Sequence, residues 1–335
     1  TPLYSSAASD VYKRQMYIYL ERKRDLMILL YIIGIVAGMV VPFQTSINSR
    51  LSLYTKSSFY ASTISFATGT IFLILINLIT NPHVFTAQFY NNQSFSYIWF
   101  VGGMLGVIFL TGNLLLLPRL GASLTVVMTV SGQIIMGVMI DTFGWFGANQ
   151  EPFTIFKVLG IIVLIFGIIL MNYVKRTPIE TNKSSPVYIW LVIGFIFGFC
   201  PPIQTAINSA LGQQIHSSVM ASLISFAVGT IVLFILTLIF NRSLKLKTVD
   251  AKQGKLKPIY FIGGILGVVF VTTNIILMPH LGAALTTIIV MLGQMLMGVI
   301  IDHFGLLGTR INKITTRKII GIIAIMIGII LLRLF

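Results

Sequence analysis

The chain has 335 residues, of which 56% are hydrophobic and only 9% carry a charge, against about 25% charged in soluble domains. A water-soluble globule is thereby excluded. The formal charge of +15 sits in short stretches between apolar runs, which controls membrane topology and argues against a nucleic-acid-binding face, while a single cysteine, Cys200, excludes a disulfide framework or a cysteine metal site.

Residues 1–15, TPLYSSAASDVYKRQ, lack an apolar centre and match nothing later in the chain, so they read as an extraneous segment ahead of Met16. Apolar runs able to cross a hydrocarbon core of about 30 Å then fall at roughly 27–48, 57–80, 97–117, 120–140 and 154–174. A polar linker follows at 175–186. The runs resume at roughly 187–208, 217–240, 258–278, 282–301 and 317–335. Tight connections at Pro118-Arg119 and Pro279-His280 divide spans three from four and eight from nine, a proline-broken long segment being the alternative.

The two halves, 16–174 and 187–335, are copies. PFQTSINSRL at 42–51 returns as PIQTAINSAL at 202–211, ASTISFATGT at 61–70 as ASLISFAVGT at 221–230, and GGMLGV at 102–107 as GGILGV at 263–268. LPRLGASLT at 117–125 returns as MPHLGAALT at 278–286, and GQIIMGVMIDTFG at 132–144 as GQMLMGVIIDHFG at 293–305. Gln44 and Gln204 lie 160 apart and Gln133 and Gln294 lie 161 apart, so one loop between them absorbs a single inserted residue.

Five spans is an odd number and the linker is too short to cross, so the second half enters the membrane from the opposite side. Charge tests this independently. The loop after span one carries Arg50 and Lys56 where its counterpart after span six carries no Lys or Arg. The loop after span two has none where its counterpart carries Arg242, Lys245, Lys247, Lys252, Lys255 and Lys257. The enriched loops, with Arg310, Lys313 and Arg317 before span ten, share one face. The positive-inside rule makes that face cytoplasmic and puts both termini outside, against the pull of Arg22-Lys23-Arg24. The expected fold is an all-α integral membrane protein of ten transmembrane helices in two inverted five-helix repeats.

The repeated motifs PxQTxINSxL, ASxISFxxGT, GGxLGV and GQxxMGVxIDxFG resemble those of the YdcZ-like family in the drug/metabolite transporter superfamily, over essentially 27 to 335. A single unit of that family resembles one half of this chain. The resemblance implies an inner-membrane exporter of small metabolites or drugs, in a fused two-unit form that can act as a monomeric pseudo-dimer within the lipid bilayer.

Inverted repeats place a binding site near the bilayer midplane, where the halves meet. The repeated polar residues inside spans are the candidates for binding a small-molecule substrate: Gln44 and Asn48 with Gln204 and Asn208, Gln133 with Gln294, and Asn113 with Asn274. Gln44 and Asn48 are four apart and share a helix face with Gly34 and Gly38. Pro42 and Pro201-Pro202 interrupt the backbone ladder just before these amides. The amides either line a pocket at a broken helix or hydrogen-bond neighbouring helices and hold the bundle together.

None of the eight acids lies at the centre of an expected span, which argues against antiport through a central carboxylate. Asp141 and Asp302 recur at span ends in the motif IDxFG, as gate or coupling carboxylates or as local caps. No metal site, cofactor motif or nucleotide-binding loop is present in the sequence. The functional expectation is a secondary transporter working by alternating access. A lipid translocase is the alternative, a channel a weaker one, and an enzyme or a nucleic-acid partner is not expected.

Overall fold

A lipid bilayer offers the backbone no hydrogen-bond partners, so a chain this apolar must satisfy its amides internally, and it does so as helices. The computed structural model describes residues 3–91, 94, 96–171, 187–241, 244, 246, 256–304 and 314–334; the side chains of 3–11, 114, 117, 118, 121–124, 302, 333 and 334 lie outside that description. The linker 175–186 and most of the Lys- and Arg-rich loops expected on the cytoplasmic face also fall outside it.

The helices are α1 (Leu3–Thr55), α2 (Ser58–Thr80), α3 (Ala87–Asn91), α4 (Ile98–Phe143), α5 (Ile155–Met171), α6 (Val187–Phe197), α7 (Cys200–Gln214), α8 (Ser218–Phe240), α9 (Gly263–Leu281), α10 (Ala283–Phe304) and α11 (Thr316–Leu334). Among the described residues seven helical stretches are long and apolar enough to cross a membrane, and Ile98–Asn113 and Ile155–Met171 are shorter apolar helices. The molecule is a multi-pass membrane protein.

Two connections differ from expectation. Spans three and four share one 46-residue helical stretch, α4, but the chain doubles back within it: Leu116 and Met128 both meet Gly194, while Gly112 on one arm meets Phe197 and Gly132 on the other meets Phe195. Near this connection the Arg119 guanidinium donates to the Leu115 carbonyl at 2.8 Å while lying over the Trp190 ring, 4.0 Å from its centroid. At the matching place in the second half stands His280, and α9 ends at Leu281 because Gly282 takes φ +80°.

The second difference concerns the prolines. Pro42 sits inside the continuous α1, whereas α6 and α7 are separated before Pro201-Pro202. A lone proline leaves one carbonyl, that of Gly38, without its donor; two in succession strip both Phe197 and Gly198, and the ladder parts.

Helix pairing interlocks the two copies. α1 packs on α9 and α10, α4 on α6 and α7, α2 on α8, and α5 on α11. At the α2·α8 contact, residues 160 apart meet each other: Phe66 stacks on Phe226 with centroids 5.0 Å apart, and the Thr70 and Thr230 hydroxyls hydrogen-bond at 2.9 Å. Close approach depends on glycine. A Cβ on Gly38 would strike the Val290 carbonyl and one on Gly198 the Thr129 carbonyl, again at equivalent positions. The glycine face expected beside Gln44 thus seats α1 against α10.

Candidate functional site

Five of the eight candidate amides converge. Gln133 on α4, Gln204 and Asn208 on α7, Asn274 on α9 and Gln294 on α10 line one cavity of about 50 Å³, together with Thr205, Thr287, Phe270 and Met291. Gln44, Asn48 and Asn113 do not line it. Gln44 and Asn48 lie on α1 against Gly267 and Gly263 of α9, and Asn113 is half-buried on α4.

The amides divide into those already hydrogen-bonded and those still open. Asn208 Nδ2 donates to Ser225 Oγ at 3.0 Å and Gln204 Nε2 reaches the same oxygen at 3.5 Å. Asn274 Nδ2 donates to the Phe270 carbonyl at 2.8 Å. Gln133 and Gln294, half-buried at equivalent repeat positions, have no side-chain hydrogen-bond partner among the described residues. Asn208 Oδ1 is buried with no donor, as is Asn48 Oδ1. Each presses on a glycine of the other half, Gly102 and Gly263 respectively, where the only compensation is a weak Cα–H···O contact.

A second, larger pocket of about 210 Å³ lies at the end of α4, lined by Asp141, Glu151, Lys157, Leu281, Ala284 and Leu332 among others. The Asp141 side chain is 3% exposed. Its Oδ1 accepts from the Ala283 N–H at 2.6 Å and its Oδ2 from the Ala284 N–H at 2.8 Å, so it caps the first turn of α10 from the opposite half. These are donors that a helix start leaves unsatisfied. Beside it Lys157 Nζ donates to Glu151 Oε2 at 2.9 Å, and the Glu151 N–H donates to the Asp141 carbonyl at 2.9 Å. Asp302 ends α10 at the equivalent place, its side chain outside the described residues.

Comparison with known proteins bears on what this architecture belongs to. Residues 29–170 and again 189–331 match the family described as "Putative inner membrane exporter, YdcZ". The chain belongs to this family. It carries two YdcZ units, and a transporter is the class that the family supports, rather than an enzyme. A solved structure titled "Crystal structure of protein" superimposes with a TM-score of 0.63 over 91% of this chain and 96% of that one, at 12% sequence identity. That likeness shows the fold alone. No curated protein matches the chain.

The two YdcZ units share a sequence pattern but not an environment. Asn208 is 1% and Ser209 2% exposed, whereas Asn48 is half-buried and Ser49 exposed. α7 packs on α9 and α10, while α1 makes no comparable packing on α4 among the described residues. The amides of α7 are thus more deeply buried than their counterparts on α1, and the cavity of amides sits on the more buried side.

Glu151 and Lys157 were not read from the sequence as site residues. Lys157 offered a signal, since Lys318 recurs 161 residues later. A lysine so close to the start of a span reads as a topology charge, and its partner Glu151 has no equivalent in the second unit.

Proposed function

We propose that the chain exports a small-molecule substrate by alternating access, with ten spans arranged as two inverted YdcZ units and the substrate held at the cavity of amides between them. The observation that carries this reading is the convergence of Gln133 from the first unit with Gln204, Asn208, Asn274 and Gln294 from the second on one cavity. Its repeat-related copy would be built from Gln294, Gln44, Asn48 and Asn113 together with Gln133. Unequal burial of the two sets is what a transporter caught with one mouth shut would present, because a pseudosymmetric pair exchanges environments as access alternates.

At about 50 Å³ the cavity is well below the roughly 300 Å³ or more of drug-sized sites, so substrate loading requires the bundle to open. Asp141 serves as the gate at one mouth, by holding the start of α10, and Asp302 serves the other. The fused pair of units works as a monomeric pseudo-dimer, in the inner membrane with both termini outside.

An untargeted comparison of metabolites retained by cells with and without the protein identifies the exported compound. Gln44→Ala and Gln204→Ala then reduce its efflux while the protein remains folded and in the membrane. Unchanged efflux in both variants removes these amides from the site.

A further inference from the structure

We propose that the central site selects uncharged solutes that both donate and accept hydrogen bonds, and turns away organic cations and anions. This names a substrate class for the site proposed above and rests on that reading.

The cavity offers a solute hydrogen bonds without countercharge among the described residues. Its polar lining is five carboxamides, Gln133, Gln204, Asn208, Asn274 and Gln294, and the hydroxyls of Thr205 and Thr287; among the described residues no Asp, Glu, Lys, Arg or His lines it. Every other lining group is apolar. A charged solute entering such a space gives up its hydration and meets no countercharge. A neutral solute exchanges water hydrogen bonds for amide ones at little cost.

Two of the amides are free to make that exchange. Asn208 and Asn274 have spent an N–H on Ser225 and on the Phe270 carbonyl, so they fix the walls. Gln133 and Gln294 have no such partner among the described residues. They approach from α4 and α10, one from each unit, and each presents two donors and one carbonyl acceptor. A solute bridging them needs an acceptor and a donor on two edges. Phe270 and Met291 supply apolar surface between, which suits the face of a small ring such as a cyclic amide or a nucleobase-like heterocycle. The ionised groups nearest in function, Asp141, Glu151 and Lys157, belong to the separate pocket at the end of α4, and there each is engaged by a backbone N–H or by its ion partner.

The test is thermal unfolding of the purified full chain in detergent. Nicotinamide, uridine and xylitol serve as uncharged probes, tetraphenylphosphonium and glutamate as charged ones. Wild type is compared with Gln133→Ala/Gln294→Ala and with Gln294→Glu, the unfolding of each without probe showing that it is folded. At least one uncharged probe raises the melting temperature saturably, and its apparent affinity falls about tenfold or more in the double variant. Gln294→Glu, which places a carboxylate in the cavity, loses that response and gains one to tetraphenylphosphonium. Stabilisation of wild type by a charged probe, lost in the double variant, leaves the site standing and overturns the class, as does the absence of any response to the uncharged probes. An uncharged probe that acts equally on wild type and the double variant overturns the central site itself.

Discussion

Asn48 and Asn208 each bury a carbonyl oxygen that no N–H reaches, and each oxygen is met by a glycine of the other half. The helices come this close only because Gly263 and Gly102 have no side chain. Gly102→Ala and Gly263→Ala each place a methyl where the amide oxygen now sits, and overpacking of this kind costs roughly 1–3 kcal/mol. Thermal unfolding in detergent measures it. Pairing Gly102→Ala with Asn208→Ala removes the clash, so the double variant loses less than the two single losses combined; strict additivity would mean that the two groups do not touch. The sequence shows that all four residues recur and share the spacing of their repeats. It does not show that Asn208 meets Gly102 rather than Gly263, because that depends on which half supplies the neighbouring helix. Five of the eight candidate amides reached one cavity for a related reason: helix spacing assigns each to a polar face, but only packing decides which faces converge.

Breaks in the helices follow from local chemistry, and the sequence located them unevenly. Adjacent prolines open α6 from α7, and a glycine at positive φ ends α9. The matching reversal in the first unit falls between Leu116 and Met128, which both meet Gly194, with Arg119 on the Leu115 carbonyl. Asp141 is the element that makes the α9–α10 break stable. Removing its carboxylate in Asp141→Ala strands two buried N–H groups at the start of α10, at a cost of about 1–2 kcal/mol for a lost cap, seen as a lower melting temperature. Asp141→Asn separates the roles: it keeps an acceptor and removes the charge. If the carboxylate also couples transport to protons, Asp141→Asn and Asp302→Asn alter the pH profile of efflux. A wild-type profile in both would assign Asp141 to capping alone.

On the scale of the whole molecule, the proposed inversion of the units rests on odd span count and opposite loop charge, and two contacts between distant loops are of the kind it calls for. The Tyr60 hydroxyl, at the start of α2, donates to the Leu244 carbonyl beyond α8 at 2.6 Å. Gln214, at the end of α7, donates to the Ser94 carbonyl between α3 and α4 at 2.8 Å. Each bond joins segments that occupy non-equivalent positions in the two units, as inversion requires: the loop after the first span of one unit lies with the loop after the second span of the other. The single native cysteine makes the arrangement testable. In a Cys200→Ala background, cysteines at the exposed positions Lys56 and Leu244 react with a membrane-impermeant thiol reagent only in inside-out vesicles. Cysteines at the exposed positions Phe85 and Gln213 react only in intact cells with a permeabilised outer envelope. Labelling of Lys56→Cys and Leu244→Cys from opposite faces would break the inversion. The same pairing with both sets reversed would keep it and turn the molecule over, so that the lysine-rich loops faced outward against the positive-inside rule.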